Sequence, residues 1–76
     1  MTDRPDDLVA AEIRAEIARQ RVSHAALAAK LGVSRPYLSR RLSGETPLSV
    51  ADVARIADAL GVPATQFTAP LDEQSG

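Results

Sequence analysis

Three times in this 76-residue chain a serine is followed nine to twelve residues later by a glycine: Ser23 to Gly32, Ser34 to Gly44 and Ser49 to Gly61. A serine hydroxyl accepts a hydrogen bond from the free amides that open a helix, and glycine adopts the left-handed conformation that closes one without steric cost. Each bracket therefore predicts a short helix with its own start and stop. Alternating apolar and polar runs, the mark of half-buried strands, are missing. The fold class expected is all-α, a compact bundle of four to five short helices.

The apolar spacing places the helices. Pro5 with Asp6 and Asp7 suits a helix start, because the first amides are unpaired and acids favour the positive dipole end. Val9, Ile13 and Ile17, four apart with Ala10 beside them, give the first helix, about 5–21, one buried stripe. The second helix, 24–31, turns Leu27, Ala28 and Leu31 inward. The third, 35–42, has Leu38 and Leu42 four apart and Pro36 in its first turn, where a missing amide costs little. The fourth, 50–60, buries Val53, Ile56, Ala57 and Leu60, and Gly61 and Pro63 end it. A last turn over 64–67 anchors on Phe67. These elements make one domain, 5–67, followed by a flexible acidic tail, 68–76, with Pro70, Asp72 and Glu73.

The core has to be small. Fourteen of the 34 hydrophobic residues are alanine, which favours helices and lets their axes approach closely. No cysteine is present, so there is neither disulfide nor thiolate, and His24 alone cannot build a zinc site. No catalytic constellation or glycine-rich phosphate loop occurs, which predicts no enzyme activity, no cofactor and no metal. The longest apolar run is five residues, Ala25 to Ala29, far short of a membrane span, and no basic-then-apolar leader opens the chain. A cytoplasmic protein is expected, without membrane association.

The net charge of −1 argues at first against nucleic acid, but its distribution reverses that impression. Residues 1–13 carry a net −3 and residues 42–76 a net −4. Residues 14–41 hold Arg14, Arg19, Arg21, Lys30, Arg35, Arg40 and Arg41 against Glu16 alone, a net +6. Within this island lie the two short helices joined through Gly32, a helix-turn-helix arrangement in which the second helix enters the major groove. Leu38 and Leu42 define its buried stripe, so Pro36, Ser39, Arg40 and Ser43 share the opposite face. The planar fork of arginine matches guanine, which makes Arg35 and Arg40 the first candidates for base readout. Arg14, Arg19, Arg21 and Lys30 count as a general field, and Arg19 and Arg21 also suit the negative end of the first helix.

The segment Val22–Gly44, VSHAALAAKLGVSRPYLSRRLSG, resembles the lambda-repressor/Cro-like (XRE-type) helix-turn-helix family. The stretch Leu48 to Phe67, which contains Ala-Asp-Ala-Leu-Gly-Val-Pro, resembles that family's fourth helix and following turn. The resemblance spans roughly residues 8–67 and implies sequence-specific DNA binding, usually by a transcriptional repressor or other regulator on paired half-sites. By position it implies base readout by Arg35, Pro36, Tyr37, Ser39 and Arg40. Contacts to the DNA backbone fall on Ser23, His24, Ser34, Arg41 and Ser43. Arg41 departs from the pattern, standing where the family commonly has an apolar core residue, with Leu42 taking over the packing.

The partner expected is double-stranded DNA, with the protein at the nucleoid when bound, as a repressor or phage Cro-like regulator. The nine residues after Phe67 are too few for an added dimerisation helix. That leaves a monomer that pairs on DNA as a homodimer, pairing through the fourth and fifth helices, or a longer parent chain. An alternative of another class is an antitoxin or protein-interaction module, which a large exposed apolar patch would favour.

Overall fold

The computed structural model describes residues 5–68, with side chains from Leu8 onward. Four helices follow one another: α1 (Pro5–Gln20), α2 (His24–Leu31), α3 (Arg35–Leu42) and α4 (Val50–Leu60). Residues 65–68 form the described part of a fifth helix, one residue later than the turn expected over 64–67. There is no strand among the described residues, and the fold is all-α. Of the acidic tail expected over 68–76, Thr68 belongs to this last helix and the remainder lies outside the described residues, as do the side chains of Asp6 and Asp7.

Local chemistry explains each boundary. The hydroxyls of Ser23, Ser34 and Ser49 accept hydrogen bonds from the amides of Ala26, Tyr37 and Asp52, each three residues ahead. At α4 the arrangement is reciprocal, because the Asp52 carboxylate accepts from the Ser49 amide at 3.1 Å. Gly32 and Gly61 close α2 and α4 with φ of 73° and 72°. The spacing predicts α1 through residue 21, but the backbone turns left-handed there: Arg21 has φ of 57° and does the job of a glycine. All three stops share a hydrogen-bond pattern, in which the amides of Val22, Val33 and Val62 donate to the carbonyls of Ile17, Ala28 and Ala57. These valines pack against the core, so each turn is latched by a bond and an apolar contact.

The core joins one stripe from every helix. Val9, Ala10, Ile13 and Ile17 of α1 meet Leu27 and Ala28 of α2, Leu38 and Leu42 of α3, and Val53, Ile56, Ala57 and Leu60 of α4. Phe67, fully buried, closes the base. The close helix pairs are α2 with α3, α2 with α4, α1 with α3 and α1 with α4. No helix of the described residues is long and apolar enough to cross a membrane.

Polar side chains tie the helix ends together. Arg14 donates to the Leu42 carbonyl at the end of α3, Lys30 to Ala59 near the end of α4, and Arg55 to Leu31 at the end of α2. Each cation thus sits at the negative end of a neighbouring helix. Glu16, only 7 % exposed, is the centre of a second cluster. It accepts from Gln20, Arg19 and Gln66, while Gln20 also donates to the Leu60 carbonyl, so α1, α4 and the last turn are joined. The hydrogen bond from Gln20, followed by those from Arg19 and Gln66, holds the Glu16 carboxyl below its ordinary range.

Candidate nucleic-acid interface

Two short helices set the geometry of the basic segment. Ala28 is buried on α2, its carbonyl accepts from the Val33 amide, and the Gly32–Val33 turn redirects the chain into α3. Leu38 and Leu42 then seat α3 on the core. With about 100° of rotation per residue, the side of α3 opposite this stripe carries Pro36 and Arg40, flanked by Ser39 and Ser43. Arg35, Pro36, Arg40 and Ser43 are exposed and Ser39 is half-buried.

The cations of this region divide into two groups. Arg14, Lys30 and Arg41 are bound to carbonyls or a carboxylate of neighbouring helices, and Arg19 to Glu16. Among the described residues, Arg35 and Arg40 have neither hydrogen-bond nor ion-pair partners for their guanidinium groups, and both are exposed. Arg21 is similarly unpaired among the described residues, at the left-handed end of α1. Neither α2 nor α3 has an acid in its first turn, so nothing opposes an anion there.

The residues expected at the DNA backbone are placed unequally. Ser23 and Ser34 lie at the exposed starts of α2 and α3, with their hydroxyls engaged as caps. His24 is half-buried at the first position of α2. Ser43 donates to the Arg40 carbonyl and accepts from the Glu45 amide, which closes the end of α3. Arg41 lies elsewhere: its guanidinium is stacked 3.6 Å over the Tyr37 ring centroid, and its Nε donates to Asp52 of α4. Tyr37, expected among the base-reading residues, turns its hydroxyl to the same carboxylate.

Asp52 thus serves two structures at once, the cap of α4 and the anchor for α3. Burial alone would raise its pKa. The amide and hydroxyl of Ser49, the Tyr37 hydroxyl and the charge of Arg41 outweigh that and hold the carboxyl below its ordinary value. Sequence reasoning missed this role and that of Glu16. The one local signal was the Ser49-x-x-Asp52 spacing, which reads as a capping box. No group of three His, Cys, Asp or Glu residues fit to hold a metal occurs among the described residues.

Residues 8–69 match the family model described as a helix-turn-helix domain. Among solved structures, the clp gene regulator ClgR from C. glutamicum superposes with a TM-score of 0.86, covering 99% of this chain and 97% of that one at 23% sequence identity. At that identity the likeness is one of fold. No curated protein matches the chain.

Proposed function

The chain belongs to the helix-turn-helix domain family, a family of DNA-binding modules rather than enzymes, and from that premise we propose that it is a sequence-specific transcriptional regulator. In the narrower form it is a repressor or Cro-like regulator that lays α3 in the major groove of operator half-sites. Arg35 and Arg40 read base edges, with Pro36 and Ser39 beside them, and the starts of α2 and α3 with Ser23, His24 and Ser34 hold phosphates. Ser43 stands near the backbone at the far end. Two copies meet on paired half-sites.

The observation that carries this proposal is the division of the cations. Those off the outward face of α3 are largely taken up by neighbouring helices, whereas Arg35 and Arg40 are exposed and uncommitted among the described residues. Fluorescence anisotropy with the DNA flanking the protein's own gene, against a scrambled duplex at several salt concentrations, tests it. Tighter binding to the native duplex, weakening steeply with salt, is expected. Equal affinity for both duplexes would refute sequence-specific regulation.

One observation favours a protein-interaction role of the antitoxin type. Val50, 89% exposed, lies at a groove of about 220 Å³ lined by Val9, Leu48, Val53, Ala54 and Ala64. Such a role predicts that Val50→Asp abolishes the activity of the protein in cells while DNA binding in vitro persists.

A further inference from the structure

An eight-residue helix seated by only two buried side chains has its position fixed more firmly than its roll about its own axis. α3 is such a helix, held to the core by Leu38 and Leu42. Its close packing is with α2 and α1, and α4 is not among its close partners. The link to α4 is made instead by long side chains.

Tyr37 and Arg41, four residues apart, share a face turned about 100° round α3 from the Leu38–Leu42 stripe. The Tyr37 hydroxyl donates to one oxygen of Asp52 at 3.2 Å and Arg41 Nε to the other at 3.3 Å. Arg41 Nη1 also donates to the Tyr37 carbonyl at 3.3 Å, which folds the side chain back along its own helix. The Asp52 end is rigid, because the same carboxylate is fixed in the capping box of α4. Only 20% of the Arg41 side chain and 13% of the Asp52 side chain are exposed. Drawing Arg41 away to a phosphate would strip a largely buried carboxylate of its cation, a costly exchange.

We infer that Arg41, with Tyr37 and Asp52, is a positioning device: it sets the roll of α3 and so the direction in which Arg35 and Arg40 meet the bases. Asp52, on α4, becomes a determinant of DNA specificity without touching DNA. This rests on the proposed DNA-reading role of α3, and it assigns Tyr37 and Arg41 to holding the helix instead of to contacting the duplex.

The test uses a duplex selected by the wild-type chain from a random-sequence pool, with a scrambled duplex as control. Anisotropy is measured from roughly 50 to 200 mM salt, the range over which phosphate contacts are most visible. Four variants are compared: Arg41→Lys, Arg41→Leu, Asp52→Asn and the Arg41→Leu/Asp52→Asn double variant, each shown by circular dichroism to be folded at the assay temperature. A lysine keeps the charge but loses the planar stack and the fixed fork. Arg41→Lys, Arg41→Leu and Asp52→Asn are each expected to lose about tenfold in preference for the selected duplex, and the double variant no more than either single. Their salt slopes are expected to match the wild type.

Wild-type binding by Arg41→Lys, together with a slope reduced by about one in Arg41→Leu, would make Arg41 a phosphate contact and overturn the inference. Additive losses in the double variant would overturn it as well. If Asp52→Asn does not fold, the comparison of lysine with leucine at position 41 decides alone. A wild-type chain that selects no duplex over scrambled DNA would instead refute the DNA-reading role, and this inference with it.

Discussion

α4 and α3 are neighbours in sequence, yet they are built on opposite plans. α4 is nearly self-sufficient: eleven residues, a reciprocal cap between Ser49 and Asp52, four buried side chains and a glycine stop. α3 has eight residues, a one-way cap from Ser34 and two buried side chains, and its left-handed glycine, Gly44 with φ of 88°, comes one residue after the C-cap, Ser43. Its missing support comes from elsewhere. Arg14 of α1 donates to its last carbonyl, and Asp52 of α4 holds its flank. The helix with the uncommitted arginines is thus the one that depends most on others, and among the described residues the guanidinium groups of Arg35 and Arg40 have no partner in the fold.

That contrast can be broken at several points, the most severe being the seat of α3. Leu38→Ala is expected to cost about 2–5 kcal/mol in urea unfolding, because half of the helix's buried stripe is lost. A loss below ~1 kcal/mol would mean that α3 holds itself in place. Next come the arginines. Arg40→Ala and Arg35→Ala are each expected to weaken specific DNA binding by about 1–3 kcal/mol without moving the unfolding midpoint. Arg55→Ala on α4 has the opposite signature: unchanged DNA affinity, and about 0.3–1 kcal/mol less stability, because its partner is the Leu31 carbonyl at the end of α2. Equal binding losses at positions 40 and 55 would place the reading surface elsewhere.

The self-sufficiency of α4 is tested by Gly61→Ala. A methyl group there meets nothing within 4 Å, so the expected loss of about 1–2 kcal/mol is backbone strain alone. No change in melting temperature would show that the left-handed stop is dispensable. The smallest effect is acid sensitivity. Asp52 and Glu16 have folded pKa values below their ordinary 3.8 and 4.5, so their stabilising contribution is complete above those values and is lost as pH falls beneath them. Melting temperatures from pH 7 down to pH 3 are expected to decline, and Asp52→Asn to decline less steeply. An identical acid limb in that variant would remove Asp52 from the account.

The helices were legible because their signals are local. A serine three residues before the amide it caps, a glycine after the last turn and apolar residues four apart all act within one or two turns, and no knowledge of packing is needed to see them. The buried stripes of all four helices follow from the same spacing. The tie between Tyr37, Arg41 and Asp52 spans eleven and fifteen residues and exists only because two helices cross at one particular angle. Nothing in the local sequence encodes that angle. Glu16 was hidden for a similar reason: as a single acid among basic neighbours it looks solvated, and its partner Gln66 lies fifty residues away. Arg14 and Lys30 read as a general field, whereas their carbonyl partners, twenty-eight and twenty-nine residues on, make them braces.

The latched turns at Val22, Val33 and Val62 have a kinetic consequence. Each closes with a hydrogen bond over only five residues, and α2, its turn and α3 are complete within a stretch of about twenty residues. Little loop entropy has to be surrendered before such contacts form, which places the folding of helical domains of this kind in the range of about microseconds to milliseconds. Arg21, the one latch without a glycine, is the strained member of the set. The closure of α1 therefore carries a backbone cost that the glycine-closed turns of α2 and α4 avoid, while α2 and α3, the pair proposed to meet DNA, form from contacts close in sequence.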